Sequence, residues 1–154
     1  MINNYQKNPI YCDKCNKVIE KVSNGWVQWL DNENKQFYGF KITHHKSFSP
    51  LKKKTENGCY FYFKSADLND LPLSSFYDID GMGYFLGMGN KILQSGLPQI
   101  ESRREFLKIF MRIHLPYYEQ VSREVDLDKR SLDQKIFMPR NLRLIIKNYK
   151  TADF

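Results

Sequence analysis

Cysteine and histidine are scarce in this chain, three of each among 154 residues. An odd number of cysteines argues against a disulfide framework. The opening residues MINNYQKNPIYC have no apolar export-signal core. Together these lead to the expectation of a reducing, cytoplasmic setting. Long hydrophobic runs are missing as well: none approaches the roughly 18–20 residues needed to cross a bilayer. Internal repeats and low-complexity linkers are also lacking. What the chain does have is a hydrophobic fraction of 42% and an aromatic fraction of 15%, too much for a disordered chain. Its length suits one domain with a core that needs no staples. Lys and Arg number 24 against 17 Asp and Glu, giving a net charge of +7 and a pI near 9.2.

The patterning changes style near residue 66. Residues 1–65 read as a zinc-ribbon-like β region of short strands, and residues 66–154 as a helical region, the two sharing one core. Trp26–Leu30 and Phe37–Thr43 alternate with period two around the turn signal Asp31-Asn32-Glu33-Asn34, which predicts a hairpin. Cys59-Tyr60-Phe61-Tyr62-Phe63 is expected as a third strand. Beyond residue 66, helices are expected from Asp80 to about Gln94, from Glu101 to His114, over Tyr117–Val125 after Pro116, and from Pro139 onward. The second shows an apolar stripe at Leu107, Phe110, Met111 and His114, the last at Leu142, Ile145, Ile146 and Tyr149. Ser131 with Gln134 resembles a capping box. The fold class expected is α+β: a small zinc-stapled antiparallel β-sheet at the N-terminus packed against a helical C-terminal half.

All three cysteines and two of the three histidines fall in one short stretch. Cys12 and Cys15 form a C-x-x-C pair; 28 residues later come His44 and His45, and 13 residues after them Cys59. Zinc takes soft or borderline ligands in a tetrahedron, and two thiolates on one turn, a histidine from a hairpin end and a third thiolate supply four. Adjacent side chains on an extended strand point to opposite faces. Only one of His44 and His45 is therefore expected to ligate, and spacing does not choose between them. The expected cofactor is one structural Zn2+ held by four protein ligands. The plainer alternative is a reduced Cys59 packed among aromatics beside two exposed histidines.

The segments Cys12-Asp13-Lys14-Cys15, Gly25-Trp26-Val27-Gln28-Trp29, Ile42-Thr43-His44-His45 and Cys59-Tyr60 resemble those of a recurrent group of small bacterial proteins. Arg112-Ile113-His114 and Pro116-Tyr117-Tyr118-Glu119 are similar too. The resemblance touches about two thirds of the chain. It implies the metal framework and carries no activity with it.

Several enzyme patterns fail on their residues. A zinc deaminase needs H-x-E and P-C-x-x-C, and neither is present. H-E-x-x-H is absent. A His-Asn-His-like metal nuclease would use His45 as general base beside a metal held by His44, but its second C-x-x-C and closing histidine are missing. Asp78-Ile79-Asp80-Gly81 opens like a calcium loop, yet Met82 and Gly89 stand where oxygen ligands belong. Gly81, Gly83, Gly87 and Gly89 lack the third glycine of a phosphate cradle, and helix packing or a kink is the expected use.

The basic residues cluster. Arg140, Arg143, Lys147 and Lys150 share one face of the last expected helix. Lys52, Lys53 and Lys54 stand together in the loop before Cys59, and Arg104, Lys108 and Arg112 recur along the second helix. Cations arranged this way neutralise phosphates, and consecutive short helices expected at 117–125, 131–137 and 140–150 allow a helix-turn-helix-like arrangement. They equally suit an acidic protein surface, or no more than a solvated helix face. The function expected is that of a cytoplasmic, non-catalytic binding or regulatory protein. It would engage nucleic acid through the helical face and Lys52–Lys54. A protein-interaction module and the metal nuclease are the alternatives. No membrane association is expected, and the sequence identifies no small-molecule substrate.

Overall fold

The computed structural model describes residues 9–31, 33, 37–62, 67–77, 79–94, 100–124 and 139–152. Two short strands, β1 (Ile10–Tyr11) and β2 (Val18–Ile19), pair antiparallel around the C-x-x-C turn. The main sheet holds β3 (Gly25–Asp31), β4 (Phe37–His44) and β5 (Leu68–Pro72) in the order β4-β3-β5, both pairings antiparallel. Among the described residues four α-helices follow: α1 (Ile79–Gln94), α2 (Ile100–His114), α3 (Tyr118–Glu124) and α4 (Pro139–Ala152). The architecture is α+β, with the helices in the C-terminal half. Among the described residues no helix is long and apolar enough to cross a membrane.

The hairpin β3–β4 follows the period-two pattern that announced it. Val27 and Trp29 of β3, with Ile42 of β4, turn to the helical side and are buried. Gly39 has φ +67°, the left-handed region open to glycine. It lies where the register slips between Gln28 and Leu30, so the extra residue is a bulge. The Gly39 N–H donates to Glu105 of α2 at 2.8 Å, and the Tyr62 hydroxyl donates to its carbonyl at 2.6 Å.

The third strand differs from expectation. Gly58 has φ +54°, and Gly58 N–H and Tyr60 N–H donate back to the Thr55 and Asn57 carbonyls. These turns stop Cys59–Tyr62 from running on as a strand. Phe61 N–H meets the buried Gln28 side-chain carbonyl at 3.0 Å instead of a ladder. The sheet position beside β3 is taken by Leu68–Pro72, a strand inside the stretch that patterning reads as the helical region. Phe63 lies outside the described residues.

Aromatic rings tie sheet to helices. Trp29 stacks on Phe40 at 6.0 Å, Phe40 meets Phe106 edge-on at 5.6 Å, and Phe85 joins Phe106 at 5.3 Å and Phe76 at 4.8 Å. One buried cluster runs from Ile10 to Ile113. The inward face of α2 carries Phe106, Ile109 and Ile113, while Leu107 is 55% exposed. The expected stripe was therefore rotated: α2 has apolar residues at two overlapping helical spacings, and packing on β4 selects one. A second cluster, Tyr118, Val121 and Leu142, holds α4 against α3. Tyr117 takes φ +68° after Pro116, so α3 begins one residue later than expected. The four glycines of α1 divide. A side chain at Gly81 would strike the Phe76 backbone, and one at Gly89 would press on Phe106, whereas Gly83 and Gly87 face open space. The capping box at Ser131, and with it the middle helix of the helix-turn-helix expectation, lies outside the described residues.

Candidate metal centre

The C-x-x-C turn is built by its backbone. Cys12 N–H donates to the Lys17 carbonyl, Asn16 N–H donates to the Cys12 carbonyl, both at 2.9 Å, and Asn16 sits at φ +60°. Asparagine tolerates this left-handed geometry better than most residues. The turn lies against the free edge of β4. Asp13 N–H donates to the Ile42 carbonyl at 2.8 Å, and Ile42 N–H donates to the Asp13 carboxylate at 2.7 Å. Both backbone groups of Ile42 on this edge are thus satisfied by a single aspartate.

Strand alternation then separates the two histidines. His44, opposite Gly25 in the register, is on the same face as Ile42 and is buried beside the turn. His45 follows on the opposite face, with its ring 5.3 Å from that of Trp26 and its Nδ1 accepting from Ser47 N–H. Cys59 arrives from the loop after β4 and is buried. The ligand atoms of Cys12, Cys15, His44 and Cys59 all lie within 4.8 Å of one another, a group able to hold one metal ion. His44 Nδ1 is 3.4 Å from Cys15 Sγ and 3.8 Å from Cys59 Sγ. His45 is not in this group.

Neighbouring groups orient the ligands. His44 Nε2 lies 3.2 Å from the Val18 carbonyl. A carbonyl only accepts, so Nε2 carries the proton and the Nδ1 lone pair faces the sulfurs, the usual support of a ligating imidazole. Ser49 is buried; its Oγ accepts from Leu51 N–H at 3.0 Å and lies 2.9 Å from Cys59 Sγ. A Cys59 thiolate would accept from this hydroxyl. Burial pushes the Cys59 thiol up to about 12, with the Ser49 hydrogen bond opposing it. Burial also raises Cys12 and lowers His44. A cation among these sulfurs reverses that preference and favours thiolates.

The turn is bolted to the helices by Arg112. Its guanidinium bonds Asp13 at 2.9 Å, Glu119 at 2.7 Å and the Tyr11 carbonyl at 2.8 Å. Glu119 also accepts from Tyr11 N–H at 3.3 Å. Burial disfavours the Arg112 charge, but Asp13 and Glu119 outweigh it and raise its pKa. Arg112 is thus removed from the basic face along α2 expected from its spacing. Arg123 adds a contact of 2.7 Å to the Asn16 side chain and covers the Tyr11 ring at 3.8 Å.

The other basic candidates are on the surface. Lys52, Lys53 and Lys54 are exposed, and Lys52 Nζ donates to the Ser47 carbonyl at 3.1 Å. Arg140, Arg143 and Lys147 are exposed on α4 while Leu142 is buried. The Lys150 side chain lies outside the described residues. Sequence spacing missed Asp13, Ser49, Arg112 and Glu119. Their partners are far away in the chain, and only the placement of Asp13 between two cysteines could have marked it. No protein family, no curated protein and no solved structure matches this chain.

Proposed function

We propose that this is a zinc-stapled, non-catalytic binding protein whose partner is nucleic acid. The observation that carries the zinc assignment is the spacing of the four ligand atoms. A tetrahedral site with zinc–sulfur bonds of about 2.3 Å and a zinc–nitrogen bond of about 2.0 Å puts its sulfur and nitrogen atoms roughly 3.5 Å apart. The His44 nitrogen is 3.4 and 3.8 Å from two of the sulfurs. Three thiolates and one imidazole select zinc among the common divalent ions. Cys12, Cys15, His44 and Cys59 would hold it, and the ion would supply folding energy; about 10–16 kcal/mol is typical of small structural sites. Four protein ligands leave no position for a reacting water, which favours a structural role over the nuclease alternative.

Nucleic acid is supported by the charge. The net charge is +7, and exposed Arg140, Arg143 and Lys147 lie along one side of α4. Such rows neutralise phosphates, with affinity falling steeply in salt. The test is Arg143→Glu with Lys147→Glu, measured by binding to labelled single- and double-stranded oligonucleotides at several salt concentrations. The expected result is weakened binding with an unchanged melting temperature. Wild-type protein that binds no nucleic acid at low salt would overturn the proposal and turn attention to an acidic protein surface.

A further inference from the structure

Behind the metal centre, on the other face of the sheet, an aromatic group gathers around His45. Its ring is 5.3 Å from Trp26, 6.1 Å from Phe48 and 6.5 Å from Tyr60. Trp26, His45 and Tyr60 are partly buried, whereas Phe48 is 54% exposed. Burial within a core therefore does not explain why Phe48 stands there. The same loop is basic. Residues 45–62 contain Lys46, Lys52, Lys53 and Lys54 against a single carboxylate, Glu56, and the charge of Asp70 on β5 also reaches His45 and Tyr60. The turn at Lys46–Phe48 brings the two features together, since Lys52 Nζ bonds the carbonyl of Ser47, next to Phe48. The platform is anchored by the metal ligands, because His45 follows His44 and Tyr60 follows Cys59 in the chain.

We propose that this loop is a platform for single-stranded nucleic acid, with Phe48 and its neighbouring rings stacking on bases and the lysines tracking the phosphates. This rests on the nucleic-acid function proposed above and adds the His45 loop to α4 as a second contact, the one that meets the bases. Ring faces interleaved with cations are the equipment for unpaired bases, whose π-faces are open. A duplex hides those faces in its stack and leaves the rings no open base to cover. An acidic peptide would satisfy the lysines but leave the exposed Phe48 without a stacking partner.

The test uses zinc-loaded, full-length protein and fluorescein-labelled probes of about 12 units, within the range that one small domain covers: oligothymidylate, oligouridylate and a duplex. Anisotropy gives affinity and its salt dependence. Single strands should bind more tightly than the duplex, and whichever of the two binds better separates DNA from RNA as the source. Phe48→Ala should weaken single-strand binding about tenfold, as loss of one stacked base does, with an unchanged salt slope and unchanged zinc content. Lys53→Gln with Lys54→Gln should reduce the slope by about 1.4, at roughly 0.7 per phosphate neutralised. Tighter duplex binding would overturn the platform. So would single-strand binding that survives these variants and is lost only with Arg143→Glu and Lys147→Glu, although nucleic-acid binding would then stand through α4. Failure of all three probes to bind would overturn both.

Discussion

Arg112 and Asp13 lie 99 positions apart in the chain, and a guanidinium nitrogen of the first sits 2.9 Å from a carboxylate oxygen of the second. The pair joins the cysteine turn to α2, and Glu119 of α3, only 4% exposed, completes it. Removing one partner of such a buried group leaves an uncompensated charge. Arg112→Ala should therefore cost about 3–5 kcal/mol. Arg112→Lys should recover only part, since an ammonium cannot reach both carboxylates and the Tyr11 carbonyl in the fork geometry. Urea denaturation measures both. A loss below about 1 kcal/mol for the alanine variant, the scale of a surface pair, would contradict the bolt.

The two adjacent histidines should behave in opposite ways. His44→Ala should lose bound metal and melt at a much lower temperature, because the ion's binding energy is folding energy. His45→Ala should keep one metal ion per chain. Metal analysis after gel filtration distinguishes them; equal metal loss in both variants would mean that His45 shares the site.

Gly58 makes a finer prediction. A side chain there would meet the Ser49 Cβ and Oγ at 2.9 Å, on a backbone with φ +54°. Gly58→Ala should push Ser49 away from Cys59, loosen the metal and cost more than the roughly 1–2 kcal/mol of left-handed strain alone. Competition with a chromophoric chelator reads metal affinity. Faster transfer to the chelator is expected, and an unchanged rate would show that the Ser49 contact does not support the site.

Stability should also depend on His114. Burial lowers its pKa, with the Phe76 backbone partly opposing, and Phe85 and Phe110 rings surround it at 5.6 and 5.0 Å. Below the ordinary value of about 6.5 the unfolded chain binds more protons at this position than the folded chain does. Its contribution to stability is thus present above that pH and lost as pH falls. His114→Phe should flatten the melting-temperature curve between about pH 7 and 5 relative to wild type. The metal ligands titrate in both proteins, so the difference between the curves isolates His114. Parallel curves would contradict the assignment.

The sheet hairpin was legible because Trp26–Leu30 and Phe37–Thr43 alternate with period two around a turn signal, although Gln28 and Thr43 on the second face are buried as well. The four described helices were legible from the Asp80 cap, Pro116, Pro139 and the apolar spacing, although the stripe read on α2 was rotated. In the metal group, residue type and spacing were enough to name five candidates, and alternation along β4 was enough to say that His44 and His45 would part. What could not be read was which face of β4 meets the turn, since that depends on the Asp13 contact with Ile42. The misplaced third strand has a similar cause. Cys59–Phe63 has the composition of a strand, but the turns around Gly58 and the side chain of Gln28 claim its backbone. Leu68–Pro72, less apolar and ending in proline, is acceptable at a sheet edge, where patterning is weakest. The place of Arg112 followed from long-range ion pairs that helical periodicity cannot reveal.

The most direct test of the central claim is X-ray absorption at the zinc edge, with metal content measured on the same purified sample. One zinc per chain is expected, with three sulfurs at about 2.3 Å and one nitrogen at about 2.0 Å. A metal-free folded protein, or a zinc with an oxygen ligand or two nitrogens in its shell, would contradict the assignment of Cys12, Cys15, His44 and Cys59.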